Sequence, residues 1–229
     1  MKPSLLFLLL LVFTAPIPAQ GDPDNPLHVL LIGDSNGAFD YGWANQLAAM
    51  RPADRFVNTC RSGNTIGFYN NGRQDLNTLQ MIDSYIGRGL EEMGIIDRVV
   101  IMLGTNDCKA VFADSTRQVA KNMDRLIRII QKDPRLKTNP PVICLVSPPP
   151  IGADSLMEEK YWGGSERVTR LVPELARVAR KRKCVFVPTW HQLKEDWTAL
   201  SPDGIHMIPE AQLVVADEIG LAMDRTSSR

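Results

Sequence analysis

The chain has 229 residues, and its 26 Lys and Arg balance 26 Asp and Glu to a formal net charge of +0. A balanced composition that is 44% hydrophobic excludes a disordered polyelectrolyte and a uniformly basic nucleic-acid binder, and the length suits one α/β domain. The spacings of the four cysteines match no metal motif, so no metal is expected, and no basic block stands out beyond Arg177 to Lys183, so no nucleic-acid partner is expected.

Residues 1–19 read as a secretory signal: Lys2, an apolar stretch from Leu5 to Phe13, then the small residue Ala19. That stretch is short beside the ~20 residues a membrane-spanning helix needs, so cleavage after Ala19 is expected rather than retention as an anchor. Residues 20–229 then form a single exported domain with no stable membrane insertion. The sequence leaves its oligomeric state open.

A polar leader, residues 21–26, precedes the apolar run 28–32, which predicts a buried strand ending at Gly33-Asp34-Ser35-Asn36. A helix over 43–50 and a short strand over 55–58 follow, leading into Cys60-Arg61-Ser62-Gly63-Asn64. Residues 64–75, rich in Asn and Gly, form a loop that carries Phe68 and Tyr69. Leu76, Leu79, Ile82, Ile86 and Leu90 predict an amphipathic helix over 76–93. The near-continuous apolar run 97–103 is a third strand, ending at Gly104-Thr105-Asn106-Asp107. Val119, Met123, Leu126, Ile127 and Ile130 form one stripe of a helix over 115–132.

A fourth strand over 141–146 runs into Ser147-Pro148-Pro149-Pro150, and residues 151–163 form a loop with Tyr161 and Trp162. Residues 165–183 predict a third long helix, whose cations from Arg177 to Lys183 suit a solvated face and a helix C-terminus. A fifth strand over 185–187, a short helix over 190–197, a turn-rich loop over 201–209 and a last helix over 210–223 complete the chain. Strands alternating with helices predict one parallel five-stranded sheet between two helical layers.

Parallel strands put their carboxyl ends on one edge, so Ser35, Gly63 and Asn106 should face one crevice, joined there by Asp203-Gly204-Ile205-His206 from the loop before the last helix. Acyl transfer needs a nucleophile, a base within reach, a group that orients the base, and donors for the developing oxyanion. Singly, each part has an ordinary reading: Ser35 as a turn or cap residue, Gly63 as a backbone necessity, Asn106 in a turn, Asp203 as a cap beside a surface His206. Together, and in this order, they supply every part of the chemistry.

His191, after the fifth strand, competes with His206 as the base but lacks a local carboxylate partner; His28 lies at the far end of its strand and reads as structural. Asp34 and Asp107 are expected to brace their own turns through backbone N–H groups. Phe68, Tyr69, Tyr161 and Trp162 are candidates to line an alcohol-side pocket, against the commoner role of aromatic loop residues in packing. Four cysteines, Cys60, Cys108, Cys144 and Cys184, allow three pairings among which the sequence does not choose; Cys144 reads as a small buried hydrophobe, while Cys60 and Cys108 both fall where strands should end, which makes their pairing one to test.

These stretches resemble the blocks of the SGNH hydrolase family, the GDSL-type esterases. Gly33-Asp34-Ser35-Asn36 resembles the serine block, Gly63 the glycine block, Gly104-Thr105-Asn106-Asp107 the asparagine block and Asp203-Gly204-Ile205-His206 the last block. Asn36 departs from the commoner leucine. Residues 100–107 and 145–150, with Gly163-Gly164-Ser165-Glu166, resemble the bacterial arylesterase branch.

The resemblance implies a three-layer α/β/α sandwich with flavodoxin-like strand order and a serine esterase of small acyl esters. It implies Ser35 as nucleophile, His206 as base and Asp203 as its orienting group. The implied oxyanion donors are the Ser35 and Gly63 N–H groups and the Asn106 side-chain amide, and no cofactor is implied. A carbohydrate O-acetylesterase with the same mechanism is an alternative; a non-catalytic carbohydrate-binding module on the same scaffold is another. No Gly-x-Ser-x-Gly surrounds Ser35, which argues against the α/β-hydrolase elbow.

Overall fold

The apolar run that opens the chain forms strand β1 (His28–Gly33), buried on both faces from Val29 onward. The structure is a computed structural model that describes residues 22–227, and the expected signal at residues 1–19 lies outside them. After β1 come helices α1 (Ser35–Ala38) and α2 (Trp43–Met50), strand β2 (Arg55–Asn58), helix α3 (Thr78–Met93), strand β3 (Arg98–Met102) and helix α4 (Thr116–Lys132). Strand β4 (Val142–Val146), helix α5 (Gly164–Arg182), strand β5 (Val185–Val187) and helices α6 (Thr189–Leu193), α7 (Trp197–Leu200) and α8 (Pro209–Ser227) follow.

All five strands pair in parallel, in the order β2-β1-β3-β4-β5, which is the flavodoxin-like order. Alternating side chains divide the core between the two faces. Leu30, Ile32 and Ile101 join Ile86 of α3, Met123 and Ile127 of α4 and Leu175 of α5. Leu31, Val100 and Val146 join Trp43 and Leu47 of α2 and Val215 and Ile219 of α8. Strand order reverses beside β1, so a crevice opens where β1 and β3 end, and Gly33 pairs with Met102 at that edge.

Three expectations change. Leu76 lies in a separate 3₁₀ turn (Gln74–Leu76), because its carbonyl accepts from the Thr65 amide at 2.9 Å and so ties it to the preceding loop rather than to α3. The short helix expected over 190–197 is two helices, α6 and α7. Lys194-Glu195-Asp196 between them offers no apolar side chain for the core.

The Cys60–Cys108 disulfide does not form, and all four cysteines are free thiols. The sheet separates the pair: Cys60 packs with the α2/α8 core and Cys108 lies in the α3/α4/α5 core. Cys144 is buried in β4, as expected. Among the described residues no helix is long and apolar enough to cross a membrane.

Candidate active site

Ser35 occupies the first position of α1, immediately beyond β1. Asp34 caps this helix: its Oδ1 accepts the Asn36 amide at 3.0 Å, bracing its own turn as expected. A first-turn N–H has no partner within its helix, and among the described residues the Ser35 N–H has no acceptor. Gly63 also presents an N–H without an acceptor there. Its φ of +84° is one that side-chain-bearing residues rarely adopt, and a Cβ would meet Asn70 Nδ2 at 3.1 Å and Leu76 Cδ1 at 3.2 Å, so glycine is required at this turn.

The Asn106 amide is oriented from both ends. Tyr161 donates its hydroxyl to Asn106 Oδ1 at 3.1 Å, and Nδ2 donates to the Asn64 carbonyl at 3.1 Å. The second Nδ2 hydrogen remains for another acceptor. Asn64 in turn donates to the Gly33 carbonyl at 3.1 Å, so the three strand-end turns form one hydrogen-bonded unit. Asp107 reaches beyond its own turn. Both of its oxygens accept the Ile66 amide at 3.0 Å, which fastens the Asn106 turn to the loop after Gly63.

Residues 203–206 bring the remaining groups. Asp203 Oδ1 accepts the amides of Ile205 and His206 at 2.8 and 2.7 Å, and its Oδ2 lies 2.6 Å from His206 Nδ1. Partial burial pushes the Asp203 carboxyl up, but these donors outweigh it and hold the group below its ordinary value. An ionised carboxylate only accepts, so His206 carries its proton on Nδ1. Nε2 is then free to accept from Ser35 Oγ, 3.1 Å away. The loop is held by the Trp197 indole N–H on the Gly204 carbonyl at 3.2 Å, and by the Gly152 amide on the same oxygen at 2.8 Å.

Asn36 explains the departure from leucine. It is fully buried, and its Oδ1 accepts from the Met207 amide at 2.9 Å and from Gln212 Nε2 at 3.1 Å. Its Nδ2 donates to the Ile205 carbonyl at 3.3 Å. One amide therefore ties the serine turn to the chain on both sides of His206, and Gln212 Oε1 accepts the Trp43 amide at 3.0 Å to complete the link. Nothing local in the sequence signals this, because the partners lie 169 to 176 positions away.

Lys109 and Asn70 were also missed. Lys109 is buried at 7% exposure; its ammonium donates to Asn70 Oδ1 at 3.0 Å and lies 5.3 Å from the Tyr161 ring centroid. Burial and the nearby Lys160 pull its pKa down. Asn70 Nδ2 donates to the Gly63 carbonyl at 2.6 Å, so a buried cation stands directly behind the Gly63 and Asn106 turns.

Of the expected aromatic lining, Tyr161 meets Asn106 as described, but the other three have different surroundings. Phe68 stacks on Phe112 at 4.5 Å, and Tyr69 and Trp162 are 52% and 47% exposed. Phe39 and the His206 ring meet edge to face, with their centroids 5.3 Å apart. His191 is exposed and contacts the Trp190 ring, and His28 pairs with Asp97 at 2.9 Å on the opposite sheet edge. Among the described residues no cluster of His, Cys, Asp or Glu is placed to hold a metal ion.

Comparison with solved structures returns the same architecture. A carbohydrate acetylesterase from Sinorhizobium meliloti superposes with a TM-score of 0.70 at 22% identity, over 87% of this chain and 98% of that one. The aryl esterase of M. smegmatis gives 0.68 at 24%, over 88% and 99%. A lipase/acylhydrolase from Enterococcus faecalis gives 0.65 at 16%, over 87% and 97%. No curated protein sequence matches the chain. A profile of the GDSL-like lipase/acylhydrolase family matches residues 23–212, which takes in all four motif blocks, and the chain therefore belongs to that family of ester hydrolases.

Proposed function

We propose that the chain is an exported serine esterase that hydrolyses small acyl esters through an acyl-enzyme at Ser35. The observation that carries this reading is the continuous line from Asp203 Oδ2 to His206 Nδ1 at 2.6 Å and from His206 Nε2 to Ser35 Oγ at 3.1 Å. His206 takes the serine proton as Oγ attacks the ester carbonyl, and Asp203 stabilises the imidazolium. Negative charge moves to the carbonyl oxygen, where the Ser35 and Gly63 N–H groups and the spare Asn106 hydrogen converge as donors. His206 returns its proton to the leaving alcohol. It then takes a proton from water as the water oxygen attacks the acyl carbon, and passes that proton to Ser35 Oγ as the acyl–Oγ bond breaks, which releases the acid and restores Ser35.

The M. smegmatis aryl esterase supports aryl esters as substrates, and the S. meliloti carbohydrate acetylesterase supports sugar O-acetyl esters as a second reading with the same mechanism. A panel of p-nitrophenyl esters of rising acyl length, run beside acetylated sugars, tests both through kcat/KM. Highest values on acetyl esters are expected; a preference for long acyl chains contradicts the small-acyl reading. Export predicts a mature N-terminus at Gln20, and N-terminal sequencing of protein from the producing cell checks it.

A further inference from the structure

The charge balance of the chain conceals a strong segregation. Helices α4 and α5 together hold eleven of the 26 Lys and Arg residues but only three of the 26 Asp and Glu. Between their outer faces runs a groove of about 1150 Å³. Of its three acids, Asp124 pairs with Arg182 and Lys181 at 2.5 and 3.0 Å and Glu174 pairs with Arg177, which leaves Asp114. Arg117, Lys121, Arg125 and Arg128 also line it, and the side chains of these four form no ion pair or hydrogen bond among the described residues.

Their spacing along α4 sets them in one stripe, about 16 Å long at the helix rise of ~1.5 Å per residue. Like charges a turn apart weaken a helix, so this stripe is a standing cost unless a counter-charge lies along it. We infer that the α4/α5 groove binds a carboxylate-bearing polysaccharide and so holds an acylated acidic glycan beside the Ser35 site.

Four charges in a line call for a polymer rather than a small ion. Three of the four are arginines, whose planar forks match carboxylates in pairs of hydrogen bonds. The groove has no aromatic side chain; its apolar lining is Ala113, Ala120 and Val178. Binding of single-stranded nucleic acid relies on aromatic stacking platforms, and none is present in the groove. α4 follows Asn106 through the turns Asn106–Cys108 and Ala110–Ser115, so the Arg117 end of the groove lies at the sheet edge that carries Ser35. The choice of an ester-bearing glycan rests on the esterase reading above; the groove's affinity for polyanions does not.

The test titrates polygalacturonate into the full chain and into an Arg117→Glu/Lys121→Glu/Arg125→Glu/Arg128→Glu variant, at low and at raised salt. The variant should bind at least about tenfold more weakly at low salt and show a shallower salt dependence. Its turnover of p-nitrophenyl acetate should match that of the unaltered chain, while kcat/KM on O-acetylated polygalacturonate falls. An Arg117→Gln/Arg125→Gln variant should show the same ordering and covers the case in which charge reversal disturbs α4.

Equal polygalacturonate binding by all three proteins overturns the proposal. So does tighter binding of poly(dT) than of polygalacturonate at matched salt. If the unaltered chain hydrolyses neither ester, the esterase reading falls, and the titration still judges the groove by itself.

Discussion

Met207, the residue after His206, donates its backbone N–H to Oδ1 of Asn36, the residue after Ser35, at 2.9 Å. With the Asn36 donation to the Ile205 carbonyl, this fixes the histidine loop to the serine turn from both sides of the ring. Replacing Asn36 with leucine removes both links while keeping the side chain's size. Asn36→Leu should lower kcat about 10- to 100-fold and leave KM within about twofold, because the change misplaces the base rather than the substrate. The unpaired Met207 amide should also cost about 1–3 kcal/mol of stability. Steady-state kinetics beside thermal unfolding check this; a folded variant with unaltered kcat rejects it.

Asn106 and Tyr161 should separate by size of effect. Asn106→Ala removes the donor proposed for the oxyanion and should reduce kcat by about 10²–10³. Tyr161→Phe keeps the donor but frees Asn106 Oδ1 from the hydroxyl that orients the amide. Its loss should be nearer tenfold, since only the placement of the donor is relaxed. Equal losses in the two variants, measured on p-nitrophenyl acetate, would contradict the positioning role of Tyr161.

Burial pushes Asp34 up to about 6 and Asp107 up to about 7, against the backbone donors that favour their charged forms. Between the ordinary carboxylate value of 3.8 and these raised values, the folded chain holds protons that the unfolded chain has released. Stability from these two groups is therefore present at acid pH and lost as pH rises toward 7. Asp203 and Asp124, held below their ordinary values, act in the opposite sense and lose their contribution only on stronger acidification. Asp107→Asn keeps an acceptor for the Ile66 amide and removes one titration. Its Tm should fall less between pH 5 and pH 8 than that of the unaltered chain (two readings that bracket the pKa of ~7 raised by burial), as followed by thermal melts. Parallel curves would contradict the assignment.

The cysteines offer a simple count. Cys60 and Cys108 lie in cores on opposite sides of the sheet, so oxidation cannot join them without unfolding the chain. Thiol titration of air-exposed protein, unfolded under non-reducing conditions, should find all four thiols. Two would reveal a disulfide, and one mapped to Cys60 and Cys108 would contradict this fold.

Much of the fold was legible because its signals are local. The strands are short apolar runs, the helices carry stripes such as Val119, Met123 and Ile127, and the chemical groups fall at the ends of those runs. What escaped reading depends on distant partners. Asp107 was expected to brace its own turn but reaches Ile66, 41 positions away, and only the tertiary fold brings that amide to it. Asn36 read as a departure from leucine, and its reason, the amides and carbonyl around His206, lies more than 160 positions downstream. Lys109 carried no signal because a lysine after a turn is ordinarily solvated; its burial follows from the packing of Asn70 and Tyr161 around it. The aromatic residues in loops divide: Tyr161 is buried against Asn106, while Tyr69 and Trp162 stay about half exposed.

The assignment of Ser35 as the nucleophile is tested most directly by trapping. Rapidly quenched protein that has been mixed with p-nitrophenyl acetate, digested and analysed by mass spectrometry should carry an acetyl group on Ser35. Ser35→Ala should carry none and should lose turnover. A Ser35→Ala protein that hydrolyses the ester at the unaltered rate, or an acetyl group found on another residue in the unaltered chain, would contradict the acyl-enzyme at Ser35.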